Sequence, residues 1–145
     1  MTVVRAPAAA MMLAALGLVA CGDDSAPEAT SKAAWTARHG AALATLKTDL
    51  DAARSTLSSL QRPDILGNCN QLRDSLGEAR KALPVPDPKS DAALRAGLDA
   101  VAEGTEDCIQ GARGPDIPRL EKSFRELRAA HALMDVANRT IAEWE

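Results

Sequence analysis

Five side chains are of the types that do covalent or metal chemistry: Cys21, Cys69, Cys108, His39 and His131. Cysteine offers a thiolate for disulfide, metal or acyl bonds, and histidine offers a ring nitrogen for metals or protons. In an oxidising compartment an odd count leaves one thiol without a disulfide partner. The carboxylates add one more constellation: Asp99, Glu103 and Asp107 recur every four residues, with Glu106 beside them. This is not a calcium loop, which needs alternate oxygen ligands around a glycine turn. The chain has no Gly-rich phosphate loop, no H-E-x-x-H and no G-x-S-x-G. Phosphoryl transfer, zinc proteolysis and serine-hydrolase chemistry therefore have no residues to carry them, and the reading is non-enzymatic.

Cys21 closes a distinctive N-terminal segment. Arg5 is the only charge before it, and "APAAAMMLAALGLVA" follows without a charge. A spanning helix needs about 20 apolar residues, so this run is short for one. A basic start, a short apolar core and small residues before a cut site describe a secretory signal peptide over residues 1–20. The four residues Leu18-Val19-Ala20-Cys21 resemble the bacterial lipobox. The resemblance covers only the signal and Cys21. It implies a diacylglyceryl group on the Cys21 sulfur, cleavage just before it, and Cys21 as the acylated N-terminus. Gly22-Asp23-Asp24 is a usual opening for such a tether. Two or more acyl chains anchor stably, each buried CH₂ contributing about 0.8 kcal/mol. The expected location is the extracytoplasmic face of the cell membrane, with the chain exported and held by lipid. The competing reading is an ordinary cleaved signal that contains a cysteine.

Residues 21–30 show no periodicity and read as a flexible tether, its ends roughly 15–20 Å apart. Residues 31–145 carry four helical patterns. The first runs over about residues 31–61, with Leu43, Leu46, Leu50, Ala53, Leu57 and Leu60 alternating three- and four-residue steps, the seam of a bundle helix. Pro63 ends it. The second covers about residues 64–83 through Ile65, Cys69, Leu72, Leu76, Ala79 and Leu83, with either Asp64 or Asn68 near its start. After the stiff connector "PVPDP", Asp87 caps a third helix with Pro88 in its first position and Leu94, Leu98, Val101, Thr105, Cys108 and Ala112 on the seam. Gly114-Pro115 stops it, and Asp116 caps a fourth. That seam reads Ile117, Leu120, Phe124, Leu127, His131, Met134, Asn138 and Ile141. Short connections force neighbours antiparallel, so the expected fold is all-α, an up-down four-helix bundle.

Cys69 and Cys108 fall on neighbouring seams, each about 9 Å from the same end at 1.5 Å per residue. In an exported domain they read as one disulfide, worth roughly 4 kcal/mol by closing a loop of about 40 residues. With Cys21 on lipid, no third cysteine remains for a zinc site. His39 and His131 sit at heights differing by about 12 Å, too far apart for one metal. Thr36 and Arg128 stand three residues before them, so there is no Glu-x-x-His di-iron pattern. No metal or cofactor is expected. Trp35, His39, Asn138 and Trp144 should gather where the tether enters. Such a group either closes the end of the core or forms a small-ligand or haem site.

Arg5 is one of 17 basic residues; without it, 16 stand against 20 acidic ones, a net −4. This balance and the three aromatics Trp35, Phe124 and Trp144 argue against nucleic-acid binding by charge or stacking. Arg119, Lys122, Arg125 and Arg128 on the fourth helix face the acidic series of the third as a solvated, ion-paired surface. In layout (lipobox, acidic tether, two seam cysteines) the chain resembles small helical lipoproteins of actinobacteria, a resemblance that carries no active site. The expected partners are the membrane, through the lipid, and another envelope protein. Intact mass measured from the membrane fraction should equal residues 21–145 plus acyl groups. A soluble product with a free Cys21 thiol would contradict the anchor.

Overall fold

Two aspartate–proline pairs start the second half of the bundle. Asp87 accepts a hydrogen bond from Ser90 N at 2.8 Å, and Asp116 accepts one from Arg119 N at 3.1 Å. Each satisfies a first-turn N–H, while the following proline supplies a pre-set φ where no N–H is needed. The computed structural model describes residues 30–59 and 62–144. Within them lie α1 (Lys32–Ser59), α2 (Arg62–Ala79), α3 (Pro88–Arg113) and α4 (Ile117–Glu143), with a 3₁₀ turn over Arg80–Ala82. The signal peptide, Cys21, the tether before residue 30, Leu60 and Gln61 lie outside the described residues. Each helix packs against its sequence neighbours, and α4 returns to α1, closing a four-helix ring without strands among the described residues. No helix among the described residues is long and apolar enough to cross a membrane.

The seams of α1, α2 and α3 lie where the periodicity puts them. Leu46, Leu50, Leu72, Leu94, Leu98 and Val101 are essentially inaccessible. Cys69 and Cys108 are fully buried and disulfide-bonded, with Cα atoms 6.0 Å apart, within the usual span of such a bridge. Two boundaries differ from expectation. α2 begins at Arg62, so Pro63 lies in its first turn, where proline removes no intrahelical bond. Gly67, Asn68 and Asn70 are helical, and Asn68 is not a cap. At the other end α2 stops at Ala79, and Ala82 and Val85 of the connection turn into the core.

The seam of α4 is rotated from its expected position. Leu120, Leu127 and Met134 are buried, but Ser123, Ala130, Ala137 and Thr140 complete the stripe, while Asn138 is exposed and Phe124 and His131 are half-buried. The cause lies on α3, where Gly97, Gly104 and Gly111 recur every seven residues. A Cβ at these positions would come within 2.7 Å of Met134 Sδ, 2.6 Å of Leu127 Cδ2 and 2.9 Å of Leu120 Cδ2. The glycines rise by sevens as their partners fall by sevens, the register of an antiparallel pair. Small residues on both sides let the backbones approach, and buried Ser123 Oγ donates to the Gly104 carbonyl at 2.7 Å. This contact is the most extensive between any two helices, whereas α1 and α4 touch least among neighbours.

Gly104→Val should cost about 1–3 kcal/mol by overpacking. Gly77→Ala on exposed α2, where an added Cβ meets nothing within 4 Å, should gain about 1 kcal/mol. Urea unfolding of the two variants measures both, and equal effects would contradict this packing.

Candidate functional site

The beginning of α1 and the end of α4 meet at one end of the bundle. Lys32 Nζ donates to the Ala142 carbonyl at 2.6 Å, compensating an α4 carbonyl that has no helical partner. Lys89 at the start of α3 reaches Glu143 at 3.3 Å. One turn into α1, Trp35 is 3 % exposed, and its Nε1–H donates to the Ala82 carbonyl at 3.0 Å. Trp144 meets it edge-on with ring centroids 6.0 Å apart, and the centroid of the tilted His39 ring lies 5.4 Å from it. Three of the four expected residues are thus one row of rings. Asn138 stands apart from the row, on the wall of a neighbouring groove. The α2 side of this end is closed, because the 3₁₀ turn brings Ala82 onto the Trp35 indole.

The opening is on the α1–α4 side. A groove of about 290 Å³ runs beside Trp35, lined by Gly40, Leu43 and Ala44 from α1 and by Asn138 and Ile141 from α4. Lys47 forms its lower end. Below it a polar bridge crosses between the two helices. His131 Nε2 lies 3.2 Å from Asp51 Oδ1 and 3.2 Å from Lys47 Nζ, and His131 Nδ1 lies 3.3 Å from Asp135 Oδ2. Lys47 and Arg54 also reach Asp51, each at 3.2 Å. A neutral imidazole donates from one nitrogen only, so Lys47 and Asp51 offer the second nitrogen either a donor or an acceptor. Beyond the bridge the face opens again in a hollow of about 290 Å³ floored by Leu57, Leu120 and Phe124 and rimmed by Glu121 and Arg125.

His39 and His131 therefore belong to different surroundings, the first to the aromatic row and the second to the bridge. Among the described residues no three His, Cys, Asp or Glu side chains converge to hold a metal. Two members of the acidic series of α3, Asp99 and Asp107, are engaged by cations. Asp107 accepts from Lys122 at 2.5 Å and lies 3.6 Å from Arg119, while Asp99 pairs with Arg80 at 3.3 Å. The Lys122 hydrogen bond holds the Asp107 carboxyl below the usual carboxylate range, and the same bond, with one to Glu126, raises the Lys122 ammonium.

Sequence reasoning found the rings and a candidate small-ligand site beside them, but missed how far the groove runs along α1 and the bridge below it. Two signals pointed there: Gly40 inside a helix, and the four-residue step from Lys47 to Asp51 that continues across to His131. The chain matches no protein-family model, no curated protein and no solved structure.

The Asp107 shift has a defined sign. A depressed folded-state carboxyl adds stability above its unfolded pKa and loses it as pH falls through the lower folded value. Stability of the parent should therefore fall more steeply below about pH 4 than that of Asp107→Asn. Urea midpoints across that range measure it, and parallel curves would contradict the pairing.

Proposed function

We propose that this protein is an exported, lipid-anchored lipoprotein whose bundle is a non-enzymatic binding module of the cell envelope. The observation that carries the binding role is the open α1–α4 face, with one hollow on either side of a charged bridge. On that reading Cys21 holds the domain to the membrane, residues 22–30 give it reach, and another envelope protein meets the face. The chemistry of the face suits such a contact: apolar floors at Leu43 and Phe124, with Lys47, Asp51, Arg125 and Asp135 around them. Partly apolar, charge-rimmed surfaces are what transient protein contacts use.

A second reading is favoured by one specific feature, the groove beside Trp35. On it the protein carries a small ligand at the end formed by Trp35, His39, Asn138 and Trp144. An absorbing or mass-shifted species on native purification, or a Soret shift on adding haem, supports carriage.

Pull-down from membranes with the anchor kept should recover one reproducible partner, and Phe124→Glu should lose it. Cys21→Ser should move the protein into the soluble fraction. Recovery of bulk membrane proteins alone, unchanged by Phe124→Glu, would contradict the interaction role.

A further inference from the structure

We propose that the groove beside Trp35 binds a single aliphatic chain that ends in a carboxylate, its tail along Trp35 and its head at Lys47. This deepens the ligand-carrying reading and is independent of the lipid anchor. The groove is mainly apolar, formed by Trp35, Leu43, Ala44 and Ile141, with Thr36, Asn138 and Lys47 as its polar groups. At about 290 Å³ it lies at the small end of ligand pockets, which suits a single chain better than a diacyl lipid.

Gly40 is the second observation. A helix-interior glycine costs about 1 kcal/mol relative to alanine, so its presence needs a reason. Packing supplies that reason for Gly97, Gly104 and Gly111, where a Cβ would collide with α4. It does not at Gly40, where a Cβ would meet only the Thr36 methyl at 3.5 Å, an ordinary contact. Gly67 and Gly77 are equally unconfined, but they are exposed on α2 and line none of the hollows described above. What the missing side chain at Gly40 leaves is room in the groove wall.

Lys47 is the third. Its ammonium has three N–H donors. One reaches Asp51 Oδ2 and one lies toward His131 Nε2, both at 3.2 Å. The third has no partner among the described residues and can serve a ligand head at the lower end of the groove. Trp35 and Lys47 are about 18 Å apart along the helix axis, a span that one extended chain with its head can bridge. A carboxylate is the head that matches, because it accepts a charge-assisted hydrogen bond and can share the cation with Asp51.

The test uses the full chain carrying Cys21→Ser, so that no acyl group of its own competes, and terminally brominated dodecanoate as probe. Bromine quenches tryptophan on contact, and the only tryptophans are Trp35 and Trp144. Quenching should saturate. Gly40→Leu should weaken binding at least about tenfold while melting no lower than the parent, and Asn138→Phe, from the exposed α4 wall, should do the same without adding a fluorophore. Lys47→Gln should weaken the carboxylate about tenfold and leave brominated dodecanol unchanged. Binding that survives both groove-filling variants in folded protein would overturn the site. Equal binding of dodecanol and dodecanoate by the parent would overturn the head-group assignment. Membrane retention of the chain with Cys21 intact, measured separately, reports on the anchor alone.

Discussion

The close approach of α3 and α4 governs the rest of the bundle. Three glycines on α3 accept two leucines and a methionine from α4, and the α4 backbone nitrogens come within 3.1–3.4 Å of where glycine Cβ atoms would stand. Such an approach gains dispersion contacts along the whole interface and admits no larger residue on the α3 side. It also rotates α4, turning Phe124, His131 and Asn138 out of the centre and toward α1. The disulfide between α2 and α3 then fixes a second side of the ring. The slack that remains collects where α4 meets α1.

Polar and charged groups occupy that slack unevenly. In the middle, His131, Lys47, Asp51 and Asp135 satisfy one another across the helices. Away from this group the floors of the two hollows are aliphatic or aromatic, with Leu43 and Ile141 on one side and Leu57 and Phe124 on the other. A bundle needs few such places, since each forgoes burial at roughly 25 cal/mol per Å² of apolar surface. Regions that bind or move are drawn from the less tightly packed parts of a fold, and here the two hollows described lie on one face.

Much of this architecture was legible in the sequence because leucine spacing, aspartate caps and first-turn prolines each act locally. Leu46, Leu50, Leu94 and Leu98 are buried as their three- and four-residue steps require, and Asp87 and Asp116 cap where a short acceptor is needed. Cys69 and Cys108 were placed by the same periodicity. The rotation of α4 was not legible from large residues alone, since Ser123, Ala130 and Ala137 carry little hydrophobic weight and gain their burial from glycines on another helix. The start of α2 was misread because proline both ends helices and begins them. At the ring cluster, residue type and height identified Trp35, His39 and Trp144. Asn138 needed the facing angle of α4, which only the packing supplies.

The disulfide has a mechanical consequence. The covalent loop runs from Cys69 to Cys108 and passes through α2 and α3 only, so α1 lies outside it. A pull applied at the Lys32 end of α1 would load the Lys32–Ala142 hydrogen bond and the Trp35–Ala82 hydrogen bond before any other part. Force would then peel α1 from the open side, exposing Leu43, Leu46 and Leu50 in turn. Only α2 and α3 are joined covalently, so tension on the N-terminus would be resisted by the non-covalent packing of α1, chiefly its contact with α2.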